Sequence, residues 1–161
     1  MPIQRIRIHI DLPPLAAARP RLYQGRIHMR SEDKDWRWMA GVRCKRAWGN
    51  RPPLKQVLVM RWEFYSATSP GDNDNLLKNA LDMLKPAGLV LDDNVTRIPN
   101  LVSKWRRSDD EHCVLWFSWQ SECNPEACSP GTQGPYDQKI WPKPPRKSRK
   151  KESKGQGTIN L

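Results

Sequence analysis

The chain predicts a small α+β domain, a single unit with a mixed β-sheet and about two helices, followed by a disordered basic C-terminal tail. Three observations predict it. Some segments repeat apolar residues at period two, and others repeat them at helical spacing. These segments run in the order strand, helix, strand, helix, strand, strand, which suits a mixed sheet with helices packed on it. Beyond Gln120 the composition changes abruptly to recurrent Pro, Gly, Ser and Lys. A length of 161 residues accommodates one domain and a tail. We place the domain at residues 1–122 and the tail at 123–161.

Ile6, Ile8 and Ile10 alternate with Arg5, Arg7 and His9, the pattern of a half-buried first strand. Pro13 and Pro14 end it. Leu22-Tyr23, Gln24-Gly25, Ile27 and Met29 outline a short hairpin or an irregular loop. Over residues 32–48, Trp36, Met39, Ala40, Arg43 and Ala47 recur at helical spacing. Glu32, Asp33 and Asp35 fall in the first turn, where acids suit the positive end of the helix dipole. The Gly-Asn-Arg-Pro-Pro run from Gly49 terminates this helix. Residues 56–65 are rich in β-branched and aromatic types and read as a central strand. From Asn75, Leu76, Leu77, Ala80, Leu81 and Leu84 form one apolar helix face, stopped by Pro86 and Gly88. Leu89, Val90 and Leu91 make a short apolar run. Strand-like segments follow over residues 94–105 and 112–119, joined by a charged turn from Arg106 to Glu111. The second, CVLWFSW, is the most apolar stretch and reads as a core strand. Residues 123–161 keep no periodicity and read as largely disordered.

The net charge is +11, and residues 139–161 hold 8 of the 28 basic residues but only 1 of the 17 acidic ones. A basic chain whose acids are focused suggests a polyanion partner with metal ions placed on it. No apolar run approaches the length of a membrane span, and Met1 to Arg5 contains no signal-peptide core. A membrane role is therefore excluded, and the cytoplasm is the expected location. Of Cys44, Cys113, Cys123 and Cys128, only the last two are close in sequence. His112 and Cys113, neighbours on a strand, face opposite sides and do not readily complete a zinc site with them. Reduced thiols are expected.

The chemistry is concentrated between Gly71 and Val95. Asp72 and Asp74 stand two residues apart just before a helix, and Lys78 follows Asp74 by one turn on the same face. Asp92 and Asp93 end the next apolar run. If that run returns beside the helix start, Asp72, Asp74 and one of Asp92 or Asp93 converge. Three carboxylates make a hard-cation site suited to magnesium. Two such ions can activate a water and stabilise the departing oxygen of a phosphodiester, and Lys78 can balance charge on the phosphate. Each residue also has a plain structural reading. Asp74 can cap the helix, Asp92-Asp93-Asn94 can be an ordinary turn, and Lys78 can pair with Asp74 or Asp82.

The run from Pro70 to Val95 resembles the signature of the RusA-type Holliday junction resolvases, a family of bacterial and phage endonucleases. It matches D-x-D-N-x-x-K, an Asp four residues on, then a Gly and an apolar run into D-D-x-V. Pro13-Pro14, Arg19-Pro20-Arg21 and Gly25 resemble the family's N-terminal region more loosely, and the likeness in element order spans roughly residues 6–120. The resemblance implies a crossover junction endodeoxyribonuclease. It would nick four-way or related branched DNA as a homodimer, with Mg2+ as cofactor and Mn2+ able to substitute. Its setting would be recombination, repair or phage DNA processing in a bacterial or phage-infected cell. The family's catalytic acids fall on Asp72, Asp74 and Asp93, its essential lysine falls on Lys78, and Asp92 is a neighbouring metal ligand. One departure is the loop Thr68-Ser69-Pro70-Gly71, which offers no large apolar side chain to insert into a junction centre. A homodimer also follows from the approximate twofold symmetry of a junction cut by paired nicks. The alternative is a non-catalytic, structure-selective DNA-binding protein that uses the acids for structure.

Arg19, Arg21, Arg26 and Arg30 can contact phosphates from the early loop. Lys147, Arg149 and Lys150 belong to a tail too like-charged and proline-rich to fold alone, suited to attracting DNA. Most of the eight tryptophans are expected in the core or a dimer interface, with Trp38 as the ring best placed for a functional role. At the C-terminus, Gln156, Ile159 and Leu161 resemble the short peptides that bind bacterial and phage sliding clamps. The glutamine amide both donates and accepts, the aliphatics suit an apolar cleft, and a flexible basic linker would raise the local concentration of the nuclease on DNA.

Overall fold

The computed structural model describes residues 3–19 and 21–121. The strand pattern of the first residues becomes β1 (Ile3–Ile10), and the most apolar run becomes β6 (His112–Gln120). Between them lie β2 (Arg21–Tyr23), β3 (Arg26–His28), α1 (Ser31–Trp48), β4 (Val59–Ser66), α2 (Asn73–Leu84) and β5 (Leu101–Arg107). The four long strands form one sheet in the order β1-β6-β4-β5. β6 runs antiparallel to both neighbours, with Ile10 opposite Cys113 and Met60 opposite Phe117. β4 and β5 are parallel, with Met60 opposite Leu101. A parallel pair needs a crossover, and α2 lies on it. The fold is thus α+β with a mixed sheet and two helices, as the sequence predicts.

Alternation along the strands sorts the two faces of the sheet. Ile8 and Ile10, Met60, Trp62 and Phe64, and Cys113, Leu115, Phe117 and Trp119 form the core under the helices. α1 adds Trp36, Ala40, Cys44 and Trp48, spaced four apart. This stripe is rotated from the expected one, for Ala47 is exposed and Arg43 only half-buried. The reason is close packing at Gly41, where an added Cβ would lie 3.3 Å from that of Ala87. α2 buries Leu76, Ala80 and Leu84 as expected. It also buries Asn79 and Met83, leaving Leu77 and Leu81 at the margin.

Three loops complete the account. Gln24 (φ 49°) and Gly25 (φ 72°) are the two left-handed residues that a two-residue hairpin turn favours, so β2 and β3 form the hairpin. Leu89–Leu91 forms a single bridge to Leu54, with Leu54 N donating to Leu89 O at 2.9 Å and Leu91 N to Leu54 O at 3.0 Å. The strand expected over 94–105 starts only at Leu101. Before it, the Asn94 side-chain oxygen accepts from Thr96 N, Thr96 Oγ1 and Arg97 N, a turn-forming interaction that outweighs the apolar pattern.

Cys44 and Cys113 are buried and unpaired. Burial pushes both thiols up, Cys113 to about 12, so neither supplies thiolate at neutral pH. Among the described residues, no helix is long and apolar enough to cross a membrane. Cys123, Cys128, Trp141, the tail residues Lys147, Arg149 and Lys150, and the peptide with Gln156, Ile159 and Leu161 lie outside the described residues, as does Pro20.

Candidate active site

The site is built on the start of α2, which is pinned from three directions. Gly71 precedes it at φ 132°, and a Cβ there would lie 2.8 Å from that of Ala16. Only glycine fits both that backbone and that contact. Ala17 N donates to Asn75 O at 2.9 Å, so the chain after β1 is laced to the first helical turn. From the sheet, Ser103 Oγ on β5 donates to Asn73 Oδ1 at 2.6 Å.

A buried polar network anchors the middle of α2. Asn79 Nδ2 donates to Leu15 O (2.9 Å) and to Asp33 Oδ1 (3.0 Å), while Asn79 Oδ1 accepts from Arg37 Nε (2.8 Å). Arg37 also pairs with Asp82 at 2.8 Å. Asp33, in the first turn of α1, accepts from Arg30 Nε, Arg30 Nη2 and the Ala18 amide as well. Burial alone would raise its carboxyl, but the hydrogen bonds from Arg30, Asn79 and Ala18 outweigh that and hold it below the usual carboxylate range. Lys78 immediately precedes Asn79 in α2, so this network fixes the helix that carries it.

On this rigid support the acids are left free. Asp72 is the N-cap residue of α2, with an extended backbone (φ −71°, ψ 145°), and its side chain makes no capping hydrogen bond. Asp74 sits in the first turn, and both are exposed. Neither carboxylate, nor the Lys78 ammonium, has a hydrogen-bond or ion-pair partner among the described residues. The capping reading of Asp74 and the i+4 pairing of Lys78 therefore do not hold, since Arg37 is the partner of Asp82.

The second pair of acids is divided. Asp92 is engaged in its own turn, with Oδ1 accepting from Asp93 N at 2.9 Å and Oδ2 from Asn94 Nδ2 at 2.6 Å. It also stands 4.0 Å from Lys85 at the end of α2. Asp93 is exposed and its carboxylate is unengaged among the described residues. Among those residues, no three His, Cys, Asp or Glu side chains stand together as a ready metal cage. The structure thus places Asp72, Asp74 and Lys78 on one helix start and does not draw Asp92 or Asp93 into a closed cluster with them. The donor chemistry still suits magnesium, which keeps several waters and takes one or two carboxylates plus substrate phosphate in place of an all-protein cage.

The early arginines differ in availability. Arg19 is exposed and lies two residues beyond the Ala17 tie to α2. Arg21 and Arg26 stand on the exposed hairpin, opposite His28 and Tyr23. Arg30 is committed to Asp33 and to Ala16 O, which gives it a structural role. Trp38 is half-buried, and among the described residues the exposed indoles are Trp105 and Trp116. Strand alternation carried the signal for Trp116, which sits between the core residues Leu115 and Phe117 and so faces the other way.

Comparison of the chain with protein-family models finds no match, and comparison with curated proteins finds no relative.

Proposed function

We propose that this protein is a magnesium-dependent endodeoxyribonuclease acting on four-way or related branched DNA. The observation that carries the proposal is the contrast between a start of α2 held rigidly by Gly71, Ala17 and Ser103 and the freedom of the carboxylates and lysine it presents. Charges left unengaged on a fixed support suit a ligand from outside the chain. The resemblance of residues 70–95 to the RusA-type signature supplies the reaction class.

Asp72 and Asp74 would hold the metal, with Asp93 the third acid and Asp92 in a supporting place through its turn. Bound there, magnesium supplies an activated water and charge stabilisation for phosphodiester hydrolysis. Lys78 lies one helical turn from Asp74 and balances negative charge on the scissile phosphate. Arg19 orients the neighbouring phosphates. Two copies acting as a homodimer match a substrate of twofold symmetry.

The second reading, a DNA-binding protein without catalysis, draws on the absence of a ready three-acid cage among the described residues. Incubating the purified chain with a synthetic four-way junction, with and without magnesium, separates the two. Paired nicks that require the metal support the nuclease. Binding without nicks, in magnesium or manganese, supports the alternative.

A further inference from the structure

The face of the sheet turned away from the helices is uncovered by any described element. By register it presents three rows across the strands: Arg7, Trp116, Arg61 and Val102; His9, Val114, Glu63 and Lys104; and His112, Tyr65 and Arg106. Val114 is buried yet stands apart from the core cluster, as expected for a residue on this second face. With Arg5 beside Ser118, the face carries five permanent cations and one carboxylate.

That one carboxylate is internally engaged. Glu63 accepts from Tyr65 Oη at 2.7 Å and pairs with Arg61. Burial would raise its carboxyl, but the Tyr65 hydrogen bond and the Arg61 charge hold it below the usual range. The cations Arg5, Arg7, Lys104 and Arg106 are exposed. Rings are interleaved with them. Trp116 is 39% exposed with the Arg7 guanidinium 5.3 Å over its ring. Tyr65, His112 and His9 stack in a column at 4.3 and 4.6 Å. A shallow cleft of about 270 Å3 opens beside Trp116, lined by Arg5, Val59, Arg61 and Ser118. Asp110, 3.5 Å from His112, marks the acidic rim at the far end.

We infer that this outer sheet face is a docking surface for single-stranded DNA. Four strands span about 15 Å, the reach of a few nucleotides. Guanidinium and ammonium groups track a phosphate backbone, and exposed rings stack on bases. Only unpaired bases offer their faces to such rings, so a single strand fits better than a duplex. A second copy of the chain is a poor occupant, because a twofold contact would set the same five cations against themselves. The surface lies across the sheet from Asp72 and Asp74, and the inference does not depend on whether those acids cut.

The test is fluorescence anisotropy of a short labelled oligothymidylate with the full chain, in chelator so that no metal-dependent cutting occurs. Trp116→Ala should weaken binding about tenfold or more, and Trp116→Phe should restore most of it. Lys104→Glu should weaken binding and flatten the salt dependence by about 0.7 in log–log slope for the lost contact. Lys34→Glu, a matched charge change on the exposed side of α1 across the sheet, should bind like the parent in the same assay. The inference is overturned if Trp116→Ala and Lys104→Glu bind as the parent does. It is equally overturned if Trp116→Ala weakens binding of a blunt duplex or an anionic lipid vesicle as much as it weakens binding of the single strand.

Discussion

The starts of the two helices carry the same residue type in the same place and treat it in opposite ways. In α1, Asp33 falls in the first turn, is 2% exposed and accepts four hydrogen bonds from Arg30, Asn79 and the Ala18 amide. In α2, Asp72 and Asp74 are exposed, and neither has a partner within the described chain. One acid holds the protein together, and the others are held out by it. An acid at a helix start is thus ambiguous until its partners are known. The difference lies in the loop between β1 and β2, which brings Ala18 over Asp33 but brings Ala16 and Ala17 only to the backbone beside Asp72 and Asp74.

The contrast is sharpest in stability. Asp33→Ala should cost about 3 kcal/mol, since it removes several hydrogen bonds to a charged group and leaves the Asn79 amide short of an acceptor. Arg30 is half-exposed and regains water, which keeps the loss from being larger. Thermal or urea unfolding checks this. Gly71→Ala comes next, at about 2 kcal/mol, from a non-glycine residue at φ 132° and the Ala16 contact. Any junction cutting should fall with it as the start of α2 shifts. A smaller effect concerns pH. The Asp33 carboxyl is depressed on folding, so its contribution is fully present above the ordinary carboxylate value of about 3.9 and is lost as pH falls through the depressed one. Asp33→Asn should flatten that acid limb, as followed by unfolding at stepped pH. An unchanged limb would assign acid sensitivity to Glu63, whose carboxyl is lowered in the same sense. The smallest effect is on the other side of the comparison. Asp72→Asn or Asp74→Asn should change stability by less than about 1 kcal/mol, the size of a helix-dipole contribution.

The sheet was legible in the sequence because period two is a local property. Ile6, Ile8 and Ile10, and the run from Cys113 to Trp119, show it without reference to anything distant. The α1 stripe was legible only approximately. Its rotation is set by Gly41 against Ala87, a contact made by residues 46 positions apart. The segment after Leu91 misled because its apolar residues resemble a strand while Asn94 closes a turn with its own side chain. At the site, residue identities were legible and their engagement was not. Nothing local distinguishes Asp33 from Asp74, or Asp92 from Asp93, since each fate depends on where Ala18, Asn79 and Asn94 fall in space. The aromatic and cationic outer face escaped for the same reason, its residues being drawn from four strands spread between Arg5 and Ser118.

The central claim is that the acids at the start of α2 serve chemistry and not the fold, and Asp74→Asn tests it in one preparation. The same purified variant is melted and then incubated with a four-way junction in magnesium. The account predicts a melting temperature close to the parent's, junction binding retained and nicking abolished. Nicking at the parent rate, or a melting temperature lowered as far as that of Asp33→Ala, would contradict it.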